Sequence, residues 1–284
     1  MDASIPEPGA GLSVWMNGRI LPAGESGLAL VGDGLLGGWG VFETLGTRGG
    51  VPFAFSRHWQ RLEAGARVCG IPLPDRAEVL AGLCELVETN GLVEARLRIT
   101  LSAAMPLVAD QVPSSAPVCL LQANEPPTGR RELGVIALPR WRYAGDPLGA
   151  IKSVSYADNL LALRRAHQAG AGEALLGNER DELCEAATAN VWVVCGGKLR
   201  TPPLASGCLP GVARAILLEE CQQSGIPVCE EPIPFAVLGE VEECFLTSSL
   251  RGVRPVTRID GRSMSGHGMA ERMQQIWEGL AVDV

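Results

Sequence analysis

The stretch IKSVSYADNLLALRRAHQAG, residues 151–170, holds one of only two lysines in a chain whose Lys and Arg together number 24. The second is Lys198, and the other 22 basic residues are all arginine. Arginine stays protonated in proteins, whereas a desolvated lysine can lose its proton and attack a carbonyl carbon. Lys152 therefore marks either chemistry that arginine cannot supply or a lysine kept by chance, and the stretch alone leaves both open. Lys198 fits the second reading, because CGGKLRTP reads as a Gly-Gly hairpin turn with an exposed lysine beside it. After Lys152, Ser155 or Asp158 can begin a helix through LLALRRAHQAG, which puts the lysine at a strand end just ahead of that helix.

Composition bounds the rest. At 284 residues, 46% hydrophobic and 20% charged, the chain can bury a substantial core, and it reads as a globular protein of two domains. No apolar run reaches the roughly 18 to 20 residues of a membrane helix. Residues 1–15, MDASIPEPGAGLSVW, have neither the basic nor the apolar segment of a signal peptide, so a cytoplasmic location is expected. The nine cysteines are odd in number, lack a CxxC pair and sit among apolar neighbours, as in ARVCGI and PVCLLQ. They read as reduced core residues, with no metal site among them. A net charge of -8 gives no electrostatic footprint for nucleic acid.

Along the chain, strand and helix patterns alternate. LSVWMNGRILP places two apolar runs around Asn17-Gly18, and GVFETLGTRGGVPFAF repeats the pattern around Gly49-Gly50, both hairpin signals. SRHWQRLEAGARVCGI has helical spacing, with Ser56 as N-cap and Gly70 as C-cap; DRAEVLAGLCELVETNG is a second helix capped by Asp75. ARLRITLSA and APVCLLQA read as strands. The polar, Pro- and Gly-rich NEPPTGRRE, residues 124–132, reads as a linker between an N-terminal α+β domain, 1–123, and a C-terminal domain, 133–284, that carries Lys152. In the second half, ANVWVVCGGKLRTP is a hairpin, and LPGVARAILLEECQQSG is a helix opening at Pro210 and closing at Gly225. GMAERMQQIWEGL turns Met269, Met273, Ile276 and Trp277 to one face, a packing stripe.

In ELCEAATANVWVV, Glu185 precedes five small or polar residues before an apolar strand resumes; spacing alone favours a solvated turn acid. Lys152, Glu185, LPGVAR and FLTSS nevertheless occur in the order and approximate spacing of the class IV, fold-type IV pyridoxal-phosphate enzymes, and the chain resembles that family over nearly its whole length. The resemblance implies a two-domain α+β fold, with a smaller N-terminal α/β sandwich and a larger C-terminal mixed α/β barrel-like domain. It implies pyridoxal 5′-phosphate as cofactor, a small-molecule substrate and a homodimer. Lys152 would carry the cofactor covalently and shuttle protons, and Glu185 would pair with the pyridine nitrogen. Arg61, in HWQRLEAGA, would bind the phosphate, together with backbone N–H groups of Val212 and Ala213 and donors from Ser248 and Ser249. The family commonly has Thr where this chain has Ala213, so only the backbone contact carries over there. Tyr156 would reach the cofactor's phenolic oxygen. Without the resemblance, Arg61 reads as a surface helix charge and Tyr156 as a packing residue.

Within the family, the Phe-Glu-Thr run at residues 42–44 resembles aminodeoxychorismate lyases, where branched-chain aminotransferases show Phe-Glu-Gly and D-amino acid aminotransferases Tyr-Glu-Val. Thr44 would relay a proton in pyruvate release, or would be simply a β-branched strand residue. Arg98 would meet a substrate carboxylate. Two features depart from the lyase pattern: Ala103-Ala104 stand where many lyases have Arg-Gly, and Trp39 replaces the usual Asp before Gly-Val-Phe. The resemblance implies conversion of 4-amino-4-deoxychorismate to 4-aminobenzoate and pyruvate in folate biosynthesis. The alternative is a branched-chain or D-amino acid aminotransferase using 2-oxoglutarate or pyruvate. A non-catalytic relative would have no reason to keep Lys152 and Glu185 together.

Overall fold

The computed structural model describes residues 12–24, 37–102, 117–127 and 133–282. The chain divides into two units, one of Met1–Pro127 with Lys152–Ser155 and Val282–Val284, the other of Thr128–Ile151 with Tyr156–Ala281. Lys152 thus groups with the first unit, although it lies inside the expected C-terminal domain, 133–284. Its backbone is the reason. The Phe42 N–H donates to Lys152 O at 2.8 Å, the Val154 N–H donates to Gly40 O at 2.9 Å, and Val41 and Ser153 form an antiparallel bridge. The break at Pro127 falls within 124–132, of which 128–132, like Ala103 and Ala104, lie outside the described residues.

The first unit is built on hairpins. Strands β1 (Ser13–Met16) and β2 (Arg19–Pro22) meet through Asn17 and Gly18 at φ of 46° and 86°, the left-handed pair a tight hairpin turn requires. Strands β3 (Gly40–Arg48) and β4 (Val51–Pro52) are joined in the same way through Gly49 and Gly50. With β5 (Arg96–Ser102) and β6 (Val118–Asn124) they make an antiparallel sheet in the order β2-β1-β6-β5-β3-β4. Helix α1 (Phe55–Val68) packs on β3, and α2 (Arg76–Thr89) packs on β1 and β6. Asp75 caps α2 as expected, accepting from the Glu78 N–H at 2.9 Å. Ser56 does not cap α1. The N-cap is Ala54, in a left-handed conformation at φ 53°, and the Ser56 hydroxyl instead accepts from Arg76 at 2.8 Å. The tight β4–α1 connection starts the helix before Ser56 is reached.

The second unit holds β7 (Leu133–Arg142), α3 (Ala157–Gln168), β8 (Glu173–Asn178), β9 (Leu183–Ala186), β10 (Asn190–Cys195) and β11 (Lys198–Thr201). These are followed by α4 (Val212–Gln223), β12 (Val228–Glu230), β13 (Glu243–Ser248), β14 (Gly252–Ile259), β15 (Arg262–Ser263) and α5 (Gly268–Gly279). Its mixed sheet runs β12-β11-β10-β13-β14-β7-β8-β9, with β15 added on β14. β7 is parallel to both β8 and β14, and every residue of β8 is buried, as expected of a parallel strand covered on both faces. One core joins Leu175, Val191, Val193, Leu246 and Val256; a second joins Ala162 and Ala166 of α3 to Ala174, Leu176 and Ala187. α5 buries Met273 and Trp277, while Met269 and Ile276 are half-buried. All nine cysteines are free thiols.

The largest buried pair, Trp192 and Phe245, are cross-strand partners on β10 and β13, stacked with centroids 5.7 Å apart. Phe245→Ala is expected to cost about 3–5 kcal/mol in urea unfolding, seen as a lower midpoint at unchanged slope. A loss below about 1 kcal/mol would show that this stack is not a main stabilising contact.

Candidate active site

Side chains alternate between the two faces of a strand, and along β3 this sorts a short run into two groups. Phe42 is paired with Thr100 and Thr44 with Arg98, so all four share one sheet face. The Arg98 guanidinium lies 3.8 Å from the Phe42 ring centroid, and its Nε donates to Thr100 Oγ1 at 3.1 Å. The Lys152 ammonium lies 4.4 Å from the same centroid. Two basic groups therefore meet at one aromatic ring, whose negative face attracts cations, with Thr44 and Thr100 on the same sheet face. Three residues singled out in the sequence, Lys152, Arg98 and Thr44, come together here.

Glu43 points the other way, toward α1. Its Oε1 accepts from Arg61 Nε, its Oε2 from Arg61 Nη2, and Oε2 also meets His58 Nδ1, each at 2.7 Å. Glu43 and His58 are wholly buried, while the Arg61 side chain is 12% exposed. Arg61 is thus not a surface helix charge. Burial alone would raise the Glu43 pKa, but the Arg61 guanidinium and the His58 ring outweigh it and hold the carboxyl at about 2. Burial lowers the His58 pKa against the pull of Glu43, so the ring is neutral at pH 7. With Glu43 ionised, the proton of that ring sits on Nδ1 and donates to the carboxylate. Nε2 is then a buried acceptor with no hydrogen-bond partner.

Within the second unit, Glu185 ends in a comparable clasp. Its Oε1 accepts from Arg142 Nε at 3.1 Å, with Nη2 also at 3.1 Å, and its Oε2 accepts from the Leu209 N–H at 3.0 Å. Glu185 is therefore a buried, paired carboxylate rather than a solvated turn acid. Leu209 leads directly into α4, whose N-cap is Gly211. The Asn190 amide donates to Leu209 O at 2.9 Å, and its Oδ1 crowds Gly211 so closely that a Cβ there would lie 1.8 Å away, so a larger residue would have to displace the Asn190 side chain. Val212, Ala213 and Arg214 open the helix buried, and no side chain caps them. Such an end leaves its first N–H groups to an outside acceptor, and an anion suits it. Ser248 ends β13 opposite Gly252, with Ser249 in the turn that follows, both half-buried. Tyr156 donates to Ala187 O at 3.3 Å, and Asn159 donates to the same carbonyl at 2.6 Å. The turn bearing that carbonyl is held by Thr188, which donates to the buried Glu173 carboxylate.

The family model described as amino-transferase class IV matches residues 40–259. The chain belongs to the class IV aminotransferase family. It is 28% identical over 262 residues to D-alanine aminotransferase of Listeria innocua, covering 88% of each chain. It is 26% identical over 257 residues to aminodeoxychorismate lyase of Bacillus subtilis, covering 87% of this chain and 86% of that one. A branched-chain aminotransferase of Thermoproteus uzoniensis shares the fold with a TM-score of 0.85 at 23% identity, over 94% of this chain and 93% of that one. The mixed two-unit architecture is that of the fold-type IV enzymes. This is an enzyme family that depends on pyridoxal 5′-phosphate. Taken singly, the groups suit parts of such a cofactor: in the first unit Lys152 supplies an amine, and in the second a buried, uncapped helix N-terminus suits a phosphate and a buried carboxylate suits a protonated ring nitrogen.

Sequence reasoning missed Glu43, His58, Thr100, Arg142 and Asn190. Glu43 and Arg142 carried a signal, since each puts a charge in or against an apolar strand run, GVFETL and LGVIALPRWR. Trp39, left open by the sequence, donates its indole N–H to Cys69 O at 3.0 Å.

The Glu43–His58 pair predicts a two-stage acid response. His58 has a lowered folded pKa, so its contribution is full above its ordinary 6.5 and is lost as pH falls below that value. Glu43 contributes fully above 4.5 and is lost as pH falls toward about 2. Unfolding free energy measured from pH 8 to 3 is expected to decline below about 6.5 and again below about 4.5. In His58→Asn the first decline should shrink; an unchanged profile would remove His58 as its source.

Proposed function

We propose that this chain converts 4-amino-4-deoxychorismate to 4-aminobenzoate and pyruvate. The observation that carries the reading is the Thr44–Arg98 pair, set on the sheet face where Lys152 meets Phe42. Pyridoxal 5′-phosphate, when bound, supplies an electron sink for charge developing at the substrate carbon. Lys152 would hold it covalently and would serve as general base and acid. Glu185, held by Arg142 and the Leu209 N–H, would pair with the pyridine nitrogen. Arg61, the N–H groups of Val212 and Ala213, and Ser248 and Ser249 would hold the phosphate, and Tyr156 would meet the phenolic oxygen. Arg98 takes a substrate carboxylate, and the Thr44 hydroxyl passes a proton in pyruvate release. The second reading is an amino-acid aminotransferase, which the similarity to D-alanine aminotransferase supports.

Two measurements test this. Borohydride reduction of the yellow holoprotein is expected to fix the chromophore to the peptide containing Lys152; labelling of Lys198 would overturn the central assignment. Protein incubated with aminodeoxychorismate should release 4-aminobenzoate and pyruvate, and Thr44→Val should slow pyruvate release by roughly 10²-fold with the cofactor spectrum intact. Release at the wild-type rate would reduce Thr44 to a packing residue. A protein that makes no 4-aminobenzoate but transaminates D- or branched-chain amino acids would establish the second reading.

A further inference from the structure

We propose that Glu43 is a positioning residue for the cofactor phosphate and acts through Arg61. The inference rests on the reading of Arg61 as a phosphate contact. Arg61 projects from α1 on a long side chain that no helix geometry fixes by itself. Glu43 fixes it. The two 2.7 Å bonds run from Nε and Nη2 to the two carboxylate oxygens, the parallel fork that sets both the position and the plane of a guanidinium. The carboxylate is in turn immobile, since it sits on β3, is wholly buried, and takes a third bond from His58 at 2.7 Å.

Charge and orientation make opposite predictions here. With His58 neutral, the Glu43 and Arg61 charges offset each other, and Glu43 lowers the positive potential that an anion feels. If attraction were all that Arg61 supplied, removing the Glu43 charge would tighten phosphate binding. If Glu43 serves by orientation, the same change loosens it. The sign of the effect separates the two.

The experiment titrates the full chain, freed of cofactor, with pyridoxal 5′-phosphate and with pyridoxal, following the quenching of tryptophan fluorescence. In Glu43→Gln the affinity for pyridoxal 5′-phosphate is expected to fall about ten- to a hundredfold, the scale of a lost charge-assisted bond, with pyridoxal affinity unchanged within about threefold. In an Arg61→Ala background the same substitution should then have almost no effect on either ligand, because Glu43 acts only through Arg61. Tighter or unchanged binding of pyridoxal 5′-phosphate would overturn the proposal, and so would equal loss for both ligands, the mark of a merely structural residue. Should Glu43→Gln fail to fold, Glu43→Asp, which keeps the charge but withdraws it by one methylene, is read by the same outcomes. Failure of the underlying reading looks different: Arg61→Ala would then no longer weaken pyridoxal 5′-phosphate more than pyridoxal.

Discussion

The two-residue period of β3 is the constraint on which the first unit's chemistry depends. Phe42 and Thr44 face one way and Glu43 the other, and the antiparallel register to β5 decides which partners each meets. A slip of one residue would turn Glu43 onto the face of Arg98 and Lys152 and set Phe42 against His58 and Arg61. Pairing on both edges opposes such a slip. β5 runs alongside β3 from Gly40 to Gly46, and the Lys152–Val154 backbone is bonded to the other edge at Gly40 and Phe42. The same bonds that fix the register of β3 thus deliver the lysine to Phe42, which explains why a segment so far along the chain is built into the first unit.

The second unit solves a comparable problem with a loop. Between β11 and α4, the connection receives the Glu185 carboxylate at the Leu209 N–H, is tied by Asn190 at the Leu209 carbonyl, and then becomes the uncapped start of α4. Because Leu209 and Val212 are only three residues apart, the carboxylate and the helix N-terminus cannot move independently. Gly211 suits the join, since a side chain there would displace the Asn190 amide that ties the Leu209 carbonyl.

Much of this was legible in the sequence. Asn17-Gly18 and Gly49-Gly50 announced their hairpins because few other residues adopt the left-handed conformations these turns need, and Asp75 announced its helix because its carboxylate can reach an N–H three residues on. Ser56 misled for a physical reason: capping propensity describes a local contact, and here the β4–α1 connection had already started the helix at Ala54. Lys152 was legible as an oddity of composition. Its partners were not, because Phe42 and Arg98 reach it only through sheet pairing across long sequence separations. Glu43 and Arg142 were hidden by the rule that carboxylates and guanidinium groups belong at the surface.

That rule fails here at two buried carboxylates, and the failures share a form. Glu43 is held by Arg61 and His58, and Glu185 by Arg142 and a backbone N–H, so that each carboxylate takes bonds on both oxygens. A buried ion pair is a poor source of stability, since removing two charges from water costs about as much as their attraction returns. Apolar side chains of the same volume would stabilise each unit at least as well. What they cannot do is fix the direction in which a guanidinium or a carboxylate presents its remaining edge. In both clasps one ion is anchored on a strand and orients or is oriented by a partner. Preorganised polar groups in a dry site are worth more to catalysis than the same groups free in solvent. The family's chemistry requires charge to be stabilised at defined atoms, and the stability forgone at Glu43 and Glu185 is the expected cost of holding those groups still.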